Sequence, residues 1–302
     1  MTSISPGDIA GMLIPAVASE LAPWTFASIA LHGTDGLQVV AHRLHKERGR
    51  LGVPLWKDYC YLPVNIATEL IRNFEASGQL PFWSANDIER TFFTHDFSCA
   101  AAWNLGKGMY RLDQPYLEGL WAAPCTDVLP VADLLALPEW CIYVECAGRT
   151  SIGRHPVEGF FAFLDDRFSD GERFWPELQI VALLRQEGHY LLDRYRIPLV
   201  RGKTLTQALG LLTQRAEANG VPPTILTAID QLAADYSETV GSFITVLAFL
   251  NGFCREMQRL KAFEYCPRRK KVAFDASGFP VCEPQGHMWE VGDPSTAPAA
   301  AH

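Results

Sequence analysis

From Trp140 to Cys146 the side chains alternate between two faces. Trp140, Ile142, Val144 and Cys146 share one face, and Cys141, Tyr143 and Glu145 the other. The next run, Gly159 to Leu164, carries Phe160, Phe161, Phe163 and Leu164, so both its faces are apolar. Such a strand sits inside a sheet with something packed on each side. Leu178–Leu184 and His189–Arg196 then flank the turn 185–188, where Gly188 is available for a positive φ. Sequential strands with short connections favour an antiparallel meander over βαβ units. The connection 165–176 is longer than a hairpin needs.

Helical periods surround this β-rich centre. Residues 8–32 read as one or two short helices interrupted by Pro15 and Pro23, and 33–52 as loop. Pro63 opens a helix over 64–76 with Ile66, Leu70 and Phe74 on one face. Ser84 and Asp87 resemble a capping box before the stripe Ile88, Phe92, His95, Cys99 and Ala102, which Gly106 and Gly108 end. His95 lies on that apolar stripe and reads as a core histidine. Residues 108–113 read as a short extended piece, and 115–136 as helical turns broken by prolines. Thr204 and Gln207 form a second capping box, opening a helix that stops at Asn219-Gly220. From Pro223 the longest pattern runs through Ile225, Tyr236, Phe243, Leu250 and Met257, with Gly241 as a candidate break. Its second half is the more apolar, so this element is expected to cover one face of the sheet.

The fold class is therefore α+β. A central, mainly antiparallel sheet of about four strands, residues 140–196, is packed by N-terminal helices and a long C-terminal amphipathic helical segment. The organisation expected is an N-terminal helical and loop segment (1–53), an α+β core (54–265), and a basic turn with a disordered Ala/Pro-rich tail (266–302).

Composition narrows the functions. The 302 residues are 48% apolar and 20% charged, enough to bury a core, and the net charge of −8 gives no global field for nucleic acid. Cys60, Cys99, Cys141 and Cys254 sit in apolar runs, which suits free thiols in a reducing, cytoplasmic setting. Residues 9–18 look like a secretory apolar stretch, but Met1–Asp8 contains no Lys or Arg to precede it. No membrane span is expected. The one concentrated basic run, Arg268, Arg269, Lys270 and Lys271, suits a phosphate or RNA contact, or equally a solvated cap after a helix.

Catalytic patterns are sparse. There is no P-loop, dinucleotide glycine turn, Gly-x-Ser-x-Gly elbow or HExxH. Cys141 and Cys146 fall on opposite strand faces and cannot share a metal. Cys266, Cys282 and His287 lack zinc-knuckle spacing. Asp165, Asp166 and Glu177 resemble the carboxylates of a metal-dependent nuclease, but the lysine of that pattern is absent. PLWKDYCYLP (54–63) brackets Leu55, Trp56, Tyr59 and Tyr61 between prolines, either as a plug for the core or as an aromatic recognition surface.

Six segments taken in order carry a family resemblance: PLWKDYCYLP (54–63), AAWNLGKGMYRLD (101–113), LPEWCIYVE (137–145), EGFFAFLDD (158–166), YRIPLVRGKTLTQAL (195–209) and VLAFLNGFC (246–254). Together they resemble the A2-like family of type V-A anti-CRISPR proteins, carried on phages, plasmids and other mobile elements. The resemblance implies binding rather than catalysis, with no cofactor. In the family, an anti-CRISPR member recognises part of the type V effector nuclease as a nascent polypeptide and lowers its production through translation-coupled loss of its transcript. Relatives occur beyond hosts of that effector, so a different target is open, including that of a mobile-element maintenance protein. The family often continues past the positions of Val291-Gly292 into an Arg/His/Trp-rich module. If that module carries the contact with ribosome or RNA, a chain without it is expected to bind a target without triggering decay. The matching residues suited to peptide capture are Trp56, Tyr59, Trp103, Tyr110, Trp140 and Tyr143, with Glu145, Asp165 and Asp166 facing basic groups of a target. For Trp103 and Trp140 a core position is the competing reading. The partners implied are a polypeptide, with a ribosome or RNA contact, and no membrane.

Overall fold

The apolar runs of residues 140–196 pair as a meander in the computed structural model, which describes residues 14–15, 21–80, 87–125, 127–169, 174–218, 223–260, 275, 281–282 and 285–291. Its strands are β1 (Ile14–Pro15), β2 (Gly108–Leu112), β3 (Cys141–Ile152), β4 (His155–Ser169), β5 (Phe174–Gln186), β6 (His189–Pro198) and β7 (His287–Val291). Its helices are α1 (Ala22–Ala30), α2 (Asp35–Glu47), α3 (Val64–Ala76), α4 (Asp87–Gly106), α5 (Gln114–Trp121), α6 (Val131–Leu134), α7 (Leu205–Ala218) and α8 (Pro223–Leu260). The protein is α+β, as the sequence predicts.

The sheet is larger than the expected four strands. Its order is β1-β6-β5-β4-β3-β2-β7, with β3 to β6 antiparallel and β2 parallel to both β3 and β7. Helices α5 and α6 lie between β2 and β3 in the chain, and so intervening a stretch allows a parallel neighbour where a hairpin cannot. Gln186 pairs with His189, leaving a two-residue turn in which Glu187 (φ 37°) and Gly188 (φ 85°) both take positive φ. The connection 165–176 is mostly strand. The β4–β5 ladder runs on from Asp165–Glu177, across an irregularity, to Ser169–Phe174.

Because β4 is apolar on both faces, the sheet is covered on both. On one face Cys141, Tyr143, Phe161, Phe163, Val181 and Leu183 pack against α1 to α4. Phe26 of α1 lies 4.7 Å from Phe161, ring to ring, and Trp103 of α4 lies 5.7 Å from it. On the other face Ile142, Val144, Phe160, Ala162, Ile180 and Ala182 meet α5 to α8, with Phe243 of α8 4.7 Å from Phe160. Each fully buried Phe is worth about 1.5–3 kcal/mol over an exposed one, so neighbouring phenylalanines facing opposite ways tie both layers to one strand. Cys60, Cys99, Cys141 and Cys254 are buried and free, as expected.

Several elements depart from the sequence reading. Residues 35–47 form α2 rather than a loop. Its inward face holds Leu37, Ala41, His42 and His45, two of which a hydrophobicity scan scores as polar. Burial pushes these imidazoles down, His42 to about 3 and His45 to about 4, so both sit neutral in the core. Pro15 lies in β1 and pairs with His189 at the sheet edge, while the rest of 8–20 lies outside the described residues. Trp140 leaves the face of Ile142 and Val144, because the bend at 138–140 precedes the strand; its ring lies beside His45 and Tyr61. Helix α3 and the reciprocal Thr204–Gln207 capping box form as expected, the latter with bonds of 3.1 and 3.3 Å.

Helix α8 is continuous through Gly241. A Cβ there would stand 2.9 Å from both the Cys125 carbonyl oxygen and the Pro124 side chain, so the glycine lets the 122–125 turn cross the helix. Ser242 donates to the Trp121 carbonyl at 2.7 Å and Thr245 to that of Ala123 at 2.9 Å, fixing the crossing. Contrary to the expectation of no span, the segment Tyr236–Arg259 is long and apolar enough to cross a membrane by length and composition. Val240, Phe243, Ile244, Leu247 and Leu250 of that segment are buried in the second core. The capping residue Ser84, Asn219-Gly220, the run 268–271, Cys266 and the tail 292–302 lie outside the described residues.

Gly241→Ala is expected to destabilise the protein by more than about 1 kcal/mol despite the better helix propensity of alanine. Gly252→Ala, where nothing lies within 4 Å, is expected to stabilise by about 0.5–1 kcal/mol. Urea unfolding of the two variants checks both signs.

Candidate functional site

Loop 51–63 meets the sheet where β4 leaves the core. Within it Trp56 and Tyr61 turn inward. Trp56 Nε1 donates to the Cys60 carbonyl at 3.1 Å, and the Tyr61 hydroxyl bonds the His42 imidazole. His45 Nδ1 bonds the Tyr61 carbonyl at 2.6 Å. Leu55 and Lys57 consequently point outward, and Tyr59 is half-buried. The loop is therefore both of the things its composition suggests, a core plug on one side and an open surface on the other.

The adjacent aspartates fasten it. Asp166 accepts from the Lys57 N–H at 2.8 Å and from the Tyr59 hydroxyl at 2.5 Å. Asp165 accepts from the N–H groups of Val64, at 3.3 Å, and Asp166, at 2.7 Å. Asp165 is buried, and burial together with the neighbouring Glu177 pushes its carboxyl up to about 7. Glu177 is held by Arg196 through two bonds of 3.1 and 2.9 Å and by Gln179 at 2.9 Å. Across the same face Arg194 forks onto Asp96 at 2.9 and 2.6 Å. Buried His95, bonded to Gln179, is lowered to about 3 by burial and then by Arg196 and Arg194.

This geometry weighs against the nuclease-like reading. Asp165 and Glu177 are cross-strand partners, but Glu177 is occupied by Arg196, and Asp166 serves the loop. Among the described residues, no group of three or more His, Cys, Asp or Glu side chains is arranged to hold a metal ion.

Where the loop, the β4–β5 end and the β6–α7 connection approach, they leave an open cleft of about 1260 Å³. Loop 51–63 contributes Leu55, Lys57 and Tyr59 to its lining, β4 Asp166, and β5 Phe174, Trp175 and Pro176. The β6–α7 connection contributes Leu199–Lys203, and Val131, Leu135 and Leu211 complete the apolar lining. Leu55 and Phe174 are each 73% exposed, although both are large apolar side chains. Lys57, Arg201 and Lys203 make no ion pair among the described residues.

Of the expected binding set, Tyr59 and Asp166 line this cleft. The rest must be corrected for burial. Trp56, Trp103, Tyr110, Trp140 and Tyr143 are core side chains. Trp103 donates to the Gly108 carbonyl at 3.1 Å and Tyr110 to Glu139 at 2.9 Å. Glu145 is buried and paired with Arg111, and Asp165 is buried beneath the loop. Arg268, Arg269, Lys270 and Lys271 lie outside the described residues. Sequence reasoning passed over Phe174, Arg201 and Lys203. The signals available were an apolar Phe-Trp-Pro triplet closing a charged connection and a Gly between two cations.

Fold and cleft together define an α+β protein whose sheet is covered on both faces and whose open concavity lies at the strand ends. The AcrVA2-like family model, described as the anti-CRISPR type V subtype A2 family, matches residues 110–260, and the chain belongs to this family. The chain is also similar to the solved structure titled "Crystal structure of AcrVA2", at 16% sequence identity and a TM-score of 0.54. That match covers 91% of this chain and 84% of the other, which shows a shared fold. No curated protein matches the sequence.

Asp165 predicts a pH signature. A carboxyl whose folded value lies above its unfolded one stabilises fully below the unfolded value, here near 3.8, and that contribution is lost as pH rises towards about 7. Asp165→Asn keeps the accepting oxygen and removes the titration. Its stability relative to the unsubstituted protein is expected to increase steadily from pH 4 to 7 and then level off, as read by urea midpoints.

Proposed function

We propose that this protein is an anti-CRISPR inhibitor that acts by binding a polypeptide of a type V effector, with the strand-end cleft as the docking site. The observation that carries this reading is convergence. Three segments far apart in the chain, each part of the family resemblance, meet at one concavity: 54–63 through Leu55, Lys57 and Tyr59, 158–166 through Asp166, and 195–209 through Leu199–Lys203. Exposed apolar side chains framed by polar ones are the usual make-up of a protein-binding patch. In this reading the protein works in the host cytoplasm without a reaction centre of its own. Engagement of the effector as a nascent chain lowers its production.

The test is an interference assay in cells that express a type V effector and a guide against a challenge phage. The protein is expected to restore phage growth and to reduce the effector and its transcript. Leu55→Ser combined with Phe174→Ser is expected to abolish protection while leaving the urea midpoint within about 0.5 kcal/mol of the unsubstituted protein, since both side chains are largely exposed. Absence of protection against the type V effectors tried, with the protein folded and abundant, would refute the reading.

A further inference from the structure

We infer that the cleft selects an acidic, apolar polypeptide segment: carboxylate side chains flanking large hydrophobic anchors. The inference rests on the reading of the cleft as a docking site and adds the chemistry of its occupant. Three observations lead there.

The first is the contrast between local and global charge. The chain carries a net charge of −8, yet among the described residues the cleft lining holds Lys57, Arg201 and Lys203 and a single carboxylate, that of Asp166. That carboxylate is occupied by the Lys57 N–H and the Tyr59 hydroxyl. Elsewhere on the molecule several arginines are matched to acids: Arg48 to Asp58, Arg90 to Glu75, Arg185 to Glu158 and Arg255 to Asp133. Cations that make no ion pair among the described residues around a concavity favour carboxylates arriving from outside, and they steer and orient a partner more than they add raw affinity.

The second is the apolar lining. Leu55 and Phe174 are largely exposed, while Leu199, Leu211 and Val131 of the same lining are already buried. Covering the two exposed side chains is what supplies binding energy, with the charged rim giving selectivity. The third is size. About 1260 Å³ exceeds the roughly 300–1,000 Å³ of ordinary small-molecule sites, and the cleft is open rather than enclosed, as a chain segment requires. A nucleic acid would meet the same cations, but an acidic protein offers it no wider field, and six aliphatic side chains line the cleft against three aromatic ones.

The experiment uses the full chain and fluorescence anisotropy. Three labelled peptides share Leu and Phe anchors and differ only in having Glu, Gln or Lys between them; a short single-stranded RNA is the fourth probe. The Glu peptide is expected to bind at least about ten-fold more tightly than the Lys peptide, with Gln intermediate and the gap narrowing as salt rises. Arg201→Glu combined with Lys203→Glu is expected to reverse the order, and Phe174→Ser to weaken all three. Equal affinity for the three peptides, tighter binding of the RNA, or unchanged binding by the cleft variants would overturn the inference. The same variants are then run against the effector. Inhibition that survives loss of acidic-peptide binding removes the cleft as the working surface while the anti-CRISPR reading stands. Selective peptide binding without inhibition of any type V effector sinks that reading and leaves the chemistry of the cleft intact.

Discussion

Strand β4 constrains everything else, because it has no polar face. Phe161 and Phe163 point one way, Phe160, Ala162 and Leu164 the other, and all are buried. A strand that exposes neither side needs a neighbour on both edges and a helical layer above and below. The chain meets this by splitting its helices, α1 to α4 on one face and α5 to α8 on the other. The interior is tight enough that Gly159 in this strand admits no side chain: a Cβ would lie 2.2 Å from the Tyr143 hydroxyl and 2.6 Å from the Val144 carbonyl.

Buried acids are the second consequence. Extending long strands beyond the apolar zone carries Glu145, Glu158, Asp165 and Glu177 under cover. Three of them meet arginines: Arg111, Arg185 and Arg196. Breaking a buried pair from one side costs about 3–5 kcal/mol, so these acids are fixed parts of the architecture. Asp165 lacks such a partner of its own, and the same environment raises its carboxyl instead.

Most of this was legible wherever one periodicity dominates. The meander, the turn at Glu187-Gly188, helix α3, the Thr204 cap and α8 all follow from spacing and turn chemistry. What escaped has identifiable causes. Helix α2 hides its buried face behind His42 and His45, which become apolar in effect only once burial has neutralised them. Strands β1 and β7 are short and take their place from pairing with β6 and β2, which no local pattern encodes. At the site, the aromatic residues of the family segments invited a surface reading, yet Trp103 and Tyr143 are interior, each 1% exposed or less. Rings that specify a fold and rings that meet a partner look alike in sequence. Their exposure is decided by neighbours that arrive from elsewhere in the chain.

A sheet enclosed on both faces can show a partner only its edges and its strand ends. At the end of β4 the chain has placed a loop held by hydrogen bonds to Asp165 and Asp166, while Trp56 and Tyr61 anchor its other side in the core. That attachment holds Leu55 and Lys57 at the cleft with Phe174 and the Arg201–Lys203 turn, each carried by a different segment of the chain. A surface assembled this way is ordered before anything binds, which lowers the entropy lost on association. The aspartates that resemble catalytic ligands in the sequence thus have a mechanical part in the structure. They fix the wall of the cleft, and the cleft's chemistry comes from the exposed side chains around it.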